Sequence, residues 1–193
     1  MKKLLFSVSL FTVSILLFSC KKESMTDATA TNSALYGRTG TGTGGTDDST
    51  YIPNIVTATS WAGQTIDAGN ITVTNDSNYI YVTYNTANGY TLTLTHLFVG
   101  PVNMIPTNHP GNPMPGQFPQ SNVHNHATSF TYQVPVSNIG NHNTGAIAAH
   151  GIVQKLDASG HVVDEQSIWG NGPRINGAAN GNWAMYTPFL VQY

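Results

Sequence analysis

From residue 64 to the C-terminus, apolar and polar residues alternate in short runs, each closed by turn residues. After residue 20 no stretch repeats its apolar residues every 3.6 positions. A period of two puts one face of each segment in a core and the other in solvent, which is the pattern of half-buried strands. Candidate strands cover 64–68, 71–75, 79–85, 90–99, 129–136, 146–156, 161–169 and 183–193. Asn88-Gly89 is a strong hairpin signal, because both residues tolerate positive φ. Asp157-Ala158-Ser159-Gly160 marks a second hairpin, and Pro188 marks an edge or a bulge. About eight short strands with regular turns predict an all-β fold, a single antiparallel β-sandwich.

The stretch 100–127 interrupts the alternation and holds six prolines: Pro101, Pro106, Pro110, Pro113, Pro115 and Pro119. It reads as a long, stiff, shaped surface loop. A glycine-rich loop over 171–182 is the second long connection.

The N-terminus has a different character. Lys2 and Lys3 precede an apolar run over 4–18 that is short for a permanent span. Leu17-Phe18-Ser19-Cys20 resembles a bacterial lipobox, in which the peptide is cut before the cysteine and the thiol is lipidated. Lys21-Lys22-Glu23 resembles the segment that follows the cysteine in lipoproteins of the Bacteroidota. Cys20 is thus the expected lipidation site, and acyl chains would hold the protein in the outer membrane of a cell envelope, with surface exposure as one arrangement. Residues 21–50 contain Thr39-Gly40-Thr41-Gly42-Thr43-Gly44-Gly45 and read as a flexible tether. The domain organisation is therefore a signal over 1–20, a tether over 21–50 and one β-domain over 51–193.

Residues 51–193 contain no cysteine, so the domain has neither a disulfide nor a thiolate metal site. Its only cations are Lys155 and Arg174, against Asp67, Asp76, Asp157, Asp164 and Glu165. Two scattered cations exclude a nucleic-acid surface, which needs clustered Lys and Arg.

Between Asp76 and Lys155 no residue is charged, yet six of the seven histidines fall there. Any chemistry in that window must use imidazole. His124-Asn125-His126 on an extended segment would put two rings on one side. His96 shares a face with Leu92, Leu94 and Phe98, and His150 shares one with Ala146, Ala148 and Ile152. His96, His124, His126 and His150 could converge on Zn²⁺, Cu²⁺ or Ni²⁺. The competing reading makes His96 and His150 core residues with satisfied nitrogens, with no cofactor required. His109 and His142 read as ordinary loop residues, and His161 begins a strand after a turn.

Other enzymatic patterns are missing from the sequence. Asp164 and Glu165 are adjacent, so on a strand they face opposite sides. There is no G-x-S-x-G elbow and no phosphate loop. Tyr79 and Tyr81 project from one strand face beside Thr83 and could stack on sugar rings; the alternative is cross-strand packing.

Four blocks carry a resemblance: Thr95-His96-Leu97-Phe98-Val99-Gly100, then Pro115-Gly116-Gln117-Phe118-Pro119, then Ile147-Ala148-Ala149-His150-Gly151-Ile152-Val153, then Asn182-Trp183-Ala184-Met185-Tyr186. In this order they resemble a secreted domain, itself uncharacterised, in surface proteins of Bacteroidota and some other prokaryotes. The resemblance spans 64–193 and implies a location and a β-rich fold, without a reaction. The expectation is a lipid-anchored, non-enzymatic envelope protein that contacts a polysaccharide, matrix or envelope protein through its two long loops. The alternatives are a histidine metal site, structural or catalytic, and an accessory subunit of an envelope complex.

Overall fold

A computed structural model of the chain describes residues 55–140, 144–176 and 182–192. The signal, Cys20, the tether and His142 lie outside the described residues. Among the described residues no helix is long and apolar enough to cross a membrane.

The alternation becomes nine strands: β1 (Val56–Ala62), β2 (Ile66–Asn75), β3 (Tyr79–Thr86), β4 (Tyr90–Gly100), β5 (Gln120–Ala127), β6 (Ser129–Pro135), β7 (Thr144–Leu156), β8 (Val162–Gly170) and β9 (Thr187–Leu190). All pairings are antiparallel. Asn88 and Gly89 take φ of 55° and 81°, the conformation that the β3–β4 hairpin requires. The expected strands over 64–68 and 71–75 are one strand, β2. Gly69, at φ 130°, is the site of a bulge against β1 and not of a turn. A Cβ there would sit 2.0 Å from the Asn85 carbonyl oxygen, so only glycine fits. The proline-rich stretch is shorter than expected, because its last eight residues form β5.

The sandwich expectation is corrected. The sheet runs without a break in the order β5-β4-β7-β8-β1-β2-β3-β6, and β9 pairs with β7 beside the end of β8. Thr128 alone separates β5 from β6, so the two ends of the sheet are brought together and it curls into a nearly closed barrel. Register shifts in β1/β2, β4/β5, β4/β7 and β7/β8 add the local twist that such curling needs. Side chains bridge the seam between the ends. Thr95 Oγ1 on β4 is hydrogen-bonded to His124 Nε2 on β5 and to Tyr132 Oη on β6, each at 2.8 Å. The Tyr84 hydroxyl on β3 donates to the His96 carbonyl on β4 at 2.9 Å.

Inside the barrel lie Ile71, Val73, Ile80, Val82, Tyr84, Leu92, Leu97, Val99, Ile147, Val153 and Phe189, all buried. A second apolar cluster sits on the outside of β4, β7 and β8. Phe98, Ala146, Ala148 and Trp169 meet Ile105 and Phe118 from the proline-rich loop and Ile175 and Ala184 from the later loop. The small Ala146 and Ala148 let both loops approach the sheet. The loops are also tied to one another: Asn176 Nδ2 donates to the Gly111 carbonyl at 2.7 Å, and Asn182 Nδ2 donates to Asn112 Oδ1 at 3.2 Å.

Candidate functional site

One residue, Thr93, decides which way the histidine of β4 points. Leu92 pairs with Val153 and Leu94 with Ile152, so Thr93 is an extra residue against β7. A single inserted residue reverses the inside–outside phase downstream. Before it, Tyr90 and Leu92 face inward; after it, Thr95, Leu97 and Val99 do. His96 therefore points outward with Leu94 and Phe98. The expectation that Leu92 shares its face is corrected.

His96 lies directly opposite His150, His150 opposite Trp169, and Trp169 opposite Trp61. The result is an unbroken outward row of two imidazoles and two indoles across β4, β7, β8 and β1. The imidazole planes are 30° apart with centroids 5.5 Å apart, and His150 lies 4.8 Å from Trp169. The two Nδ1 atoms are 3.4 Å apart, so one donates and the other accepts. Burial, and after it the neighbouring His96, pushes His150 down to about 4. Burial lowers His96 as well. Both rings are neutral at pH 7.

The other two candidate histidines do not join this pair. His124 bonds the buried Thr95 at the seam and packs 4.6 Å from Phe130, on the side of β4 opposite His96. The pairing leaves Thr93 alone against His124, Asn125 and His126, and His126 takes φ 52°. The HxH segment is thus a bulge, where a period of two does not hold. His126 Nδ1 instead bonds Thr91 Oγ1 at 3.1 Å. Among the described residues no three His, Cys, Asp or Glu side chains come together to hold a metal. His109 is exposed, and His161 pairs with Asp157 at 3.4 Å in the expected hairpin turn.

Asp164 and Glu165 part as expected. Asp164 accepts from the Tyr90 hydroxyl at 2.5 Å, and Glu165 accepts from Gln154.

Tyr79 and Tyr81 lie on the far wall, on the outside of β2, β3 and β6. The rungs there read Asn70–Asn85–Ser129, Thr72–Thr83–Thr131, Thr74–Tyr81–Gln133 and Tyr79–Pro135. None of these side chains is charged. They bond one another: Thr83 with Thr131 at 2.9 Å, Asn85 to Asn70 at 3.1 Å and Ser129 to Asn85 at 2.9 Å. Tyr79 and Tyr81 are 6.5 Å apart and tilted by 54°. The Tyr81 hydroxyl donates to Asp76 at 2.8 Å, which fixes that ring. The backbone N–H of Asn78, then Tyr81 and the Tyr79 N–H, hold the Asp76 carboxyl below the usual carboxylate range.

The indole row escapes a reading of the sequence, because Trp61 and Trp169 meet the histidines only through strand register. No family model, curated protein or solved structure matches the chain.

Proposed function

We propose that this protein is a lipid-anchored envelope module that binds an uncharged polysaccharide without transforming it. Cys20 would carry the acyl anchor, residues 21–50 would serve as the tether, and the barrel would present its polar wall outward from the outer membrane. The observation that carries the reading is the outer face of β2–β3–β6, which no loop among the described residues covers. Asn70, Thr72, Thr74, Thr83, Asn85, Thr131 and Gln133 offer donors and acceptors in fixed rungs, with Tyr79 and Tyr81 as apolar ring faces. Sugar rings need both kinds of group: hydroxyls bond to amides and hydroxyls, and C–H faces stack on aromatic rings. The lack of charge on the rungs favours neutral sugars over uronates or sulfated chains.

The test is an array of neutral and acidic glycans probed with the full-length protein, followed by titration of the best neutral hit. Tyr79→Ala and Tyr81→Ala should each weaken binding about tenfold, equal to about 1.4 kcal/mol, with folding intact. A preference for acidic glycans, or binding unaffected by both substitutions, would refute the reading. Loss of palmitate labelling in Cys20→Ser tests the anchor separately.

A further inference from the structure

We propose that His96 and His150 form a two-ligand Zn²⁺ site on the outer face of β4 and β7. This goes beyond the sugar-binding reading and uses the opposite wall. The distance between the facing nitrogens matches one metal geometry without ring movement. At metal–nitrogen bonds of 2.0–2.1 Å, two ligands of a tetrahedral centre lie about 3.3–3.4 Å apart. Two cis ligands of a square-planar centre lie about 2.8–3.0 Å apart. The Nδ1 atoms of His96 and His150 are 3.4 Å apart, the tetrahedral value. Zn²⁺ takes that geometry, and Cu²⁺ and Ni²⁺ prefer the other.

The protein has already organised the pair. The rings are a direct cross-strand pair on the two strands of longest register, and Trp169 walls one side. Both imidazoles are neutral at pH 7, as a metal ligand must be. No other hydrogen bond reaches either ring among the described residues, so coordination disrupts nothing beyond the Nδ1–Nδ1 bond. Coordination by both Nδ1 atoms moves the shared proton to an Nε2, with no net proton released. The two remaining positions of a tetrahedral centre stay open to water or to an outside donor. With only two protein ligands the affinity belongs in the micromolar range, far below that of a closed structural site.

The test is calorimetric titration of ZnCl₂ into the untagged, metal-stripped full-length chain, with Tm read in parallel. Wild type should bind one equivalent, and at ten times the Kd its Tm should rise by about 4 °C. H96Q, altered at a half-exposed outer position, should weaken this event at least tenfold while keeping the native circular-dichroism spectrum. H150Q is the second variant, and H124Q should bind as wild type does. Any zinc held elsewhere would survive in H96Q and be subtracted. No event lost in H96Q or H150Q, or an event lost equally in H124Q, would overturn the site. Because glycan binding is read on the other wall, failure here leaves that result unchanged.

Discussion

The two sides of the barrel share one interior but differ outside. Across β2, β3 and β6 the strands pair without a register shift, and apart from Pro135 each outward residue of the rungs is an uncharged polar group or a tyrosine. Part of that wall is tied by cross-strand hydrogen bonds between Thr83 and Thr131, Asn85 and Asn70, and Ser129 and Asn85. Across β4, β7 and β8 the outward residues include Leu94, Phe98, Ala146, Ala148, Ile152, Trp169 and the two histidines, and two register shifts interrupt the pairing. Left bare, that wall would expose a contiguous apolar patch. The proline-rich loop and the later loop fold back and bury most of it. The two loops are thus anchored on the molecule itself through Ile105, Phe118, Ile175 and Ala184. Among the described residues the half-covered wall keeps His96, His150 and Trp61 partly in reach of solvent.

The comparison breaks most directly at Phe118, which packs against Phe98 and Trp169 from the loop side. Phe118→Ala should cost about 3–5 kcal/mol in urea unfolding. It should also open the loop over 101–119 to proteolysis before global unfolding. A cost below about 1 kcal/mol would mean that the loop only rests on the wall.

The next effect depends on pH. The pKa of His150 is about 4 in the folded protein and about 6.5 when unfolded, so the unfolded chain binds more protons between those values. The stability of a chelator-treated sample should therefore hold above pH 6.5 and fall towards pH 4, by up to about 3 kcal/mol. The lowered carboxyls of Asp76, Asp157 and Asp164 contribute stability above their unfolded value of 3.8 and lose it only at lower pH, so the two windows separate. H150Q should make the profile between 4 and 6.5 shallower, leaving the part from His96 and His124, which burial also lowers. A slope no smaller in that variant than in wild type would mean that His150 is not the main titrating group.

The smallest effect belongs to the polar wall. Thr83→Ala removes the hydroxyl bonded to Thr131, an exposed pair, and should change stability by no more than about 0.5 kcal/mol. A loss several times larger would show that this wall, too, is structural and not free for a ligand.

Much of the fold is legible residue by residue. Ile80, Val82 and Tyr84 face inward as their alternation requires, and Asn88-Gly89 and Asp157–Gly160 turn where their chemistry says. β1 was not legible, because Val56–Ala62 alternates only Ala, Ser and Thr with few large apolar residues. β5 was hidden by its polar composition and by the prolines before it. Of the four histidines, only the pair on long paired strands came together. His124 and His126 lie in a bulge, where spacing no longer predicts direction.

Sequence alone determined that this domain is antiparallel β, cysteine-free, poor in charge and dependent on imidazole for any chemistry in its middle third. Those properties follow from composition and from a period of two, and both are local. Whether the strands form two facing sheets or one curled sheet was decided by tertiary structure, because hairpins of the same sequence pattern serve both. The side taken by His96 was decided there too. Leu92, Leu94, Leu97, Phe98 and Val99 offer apolar residues to either phase, so the extra residue at Thr93 could be recognised only once β7 had paired beside it.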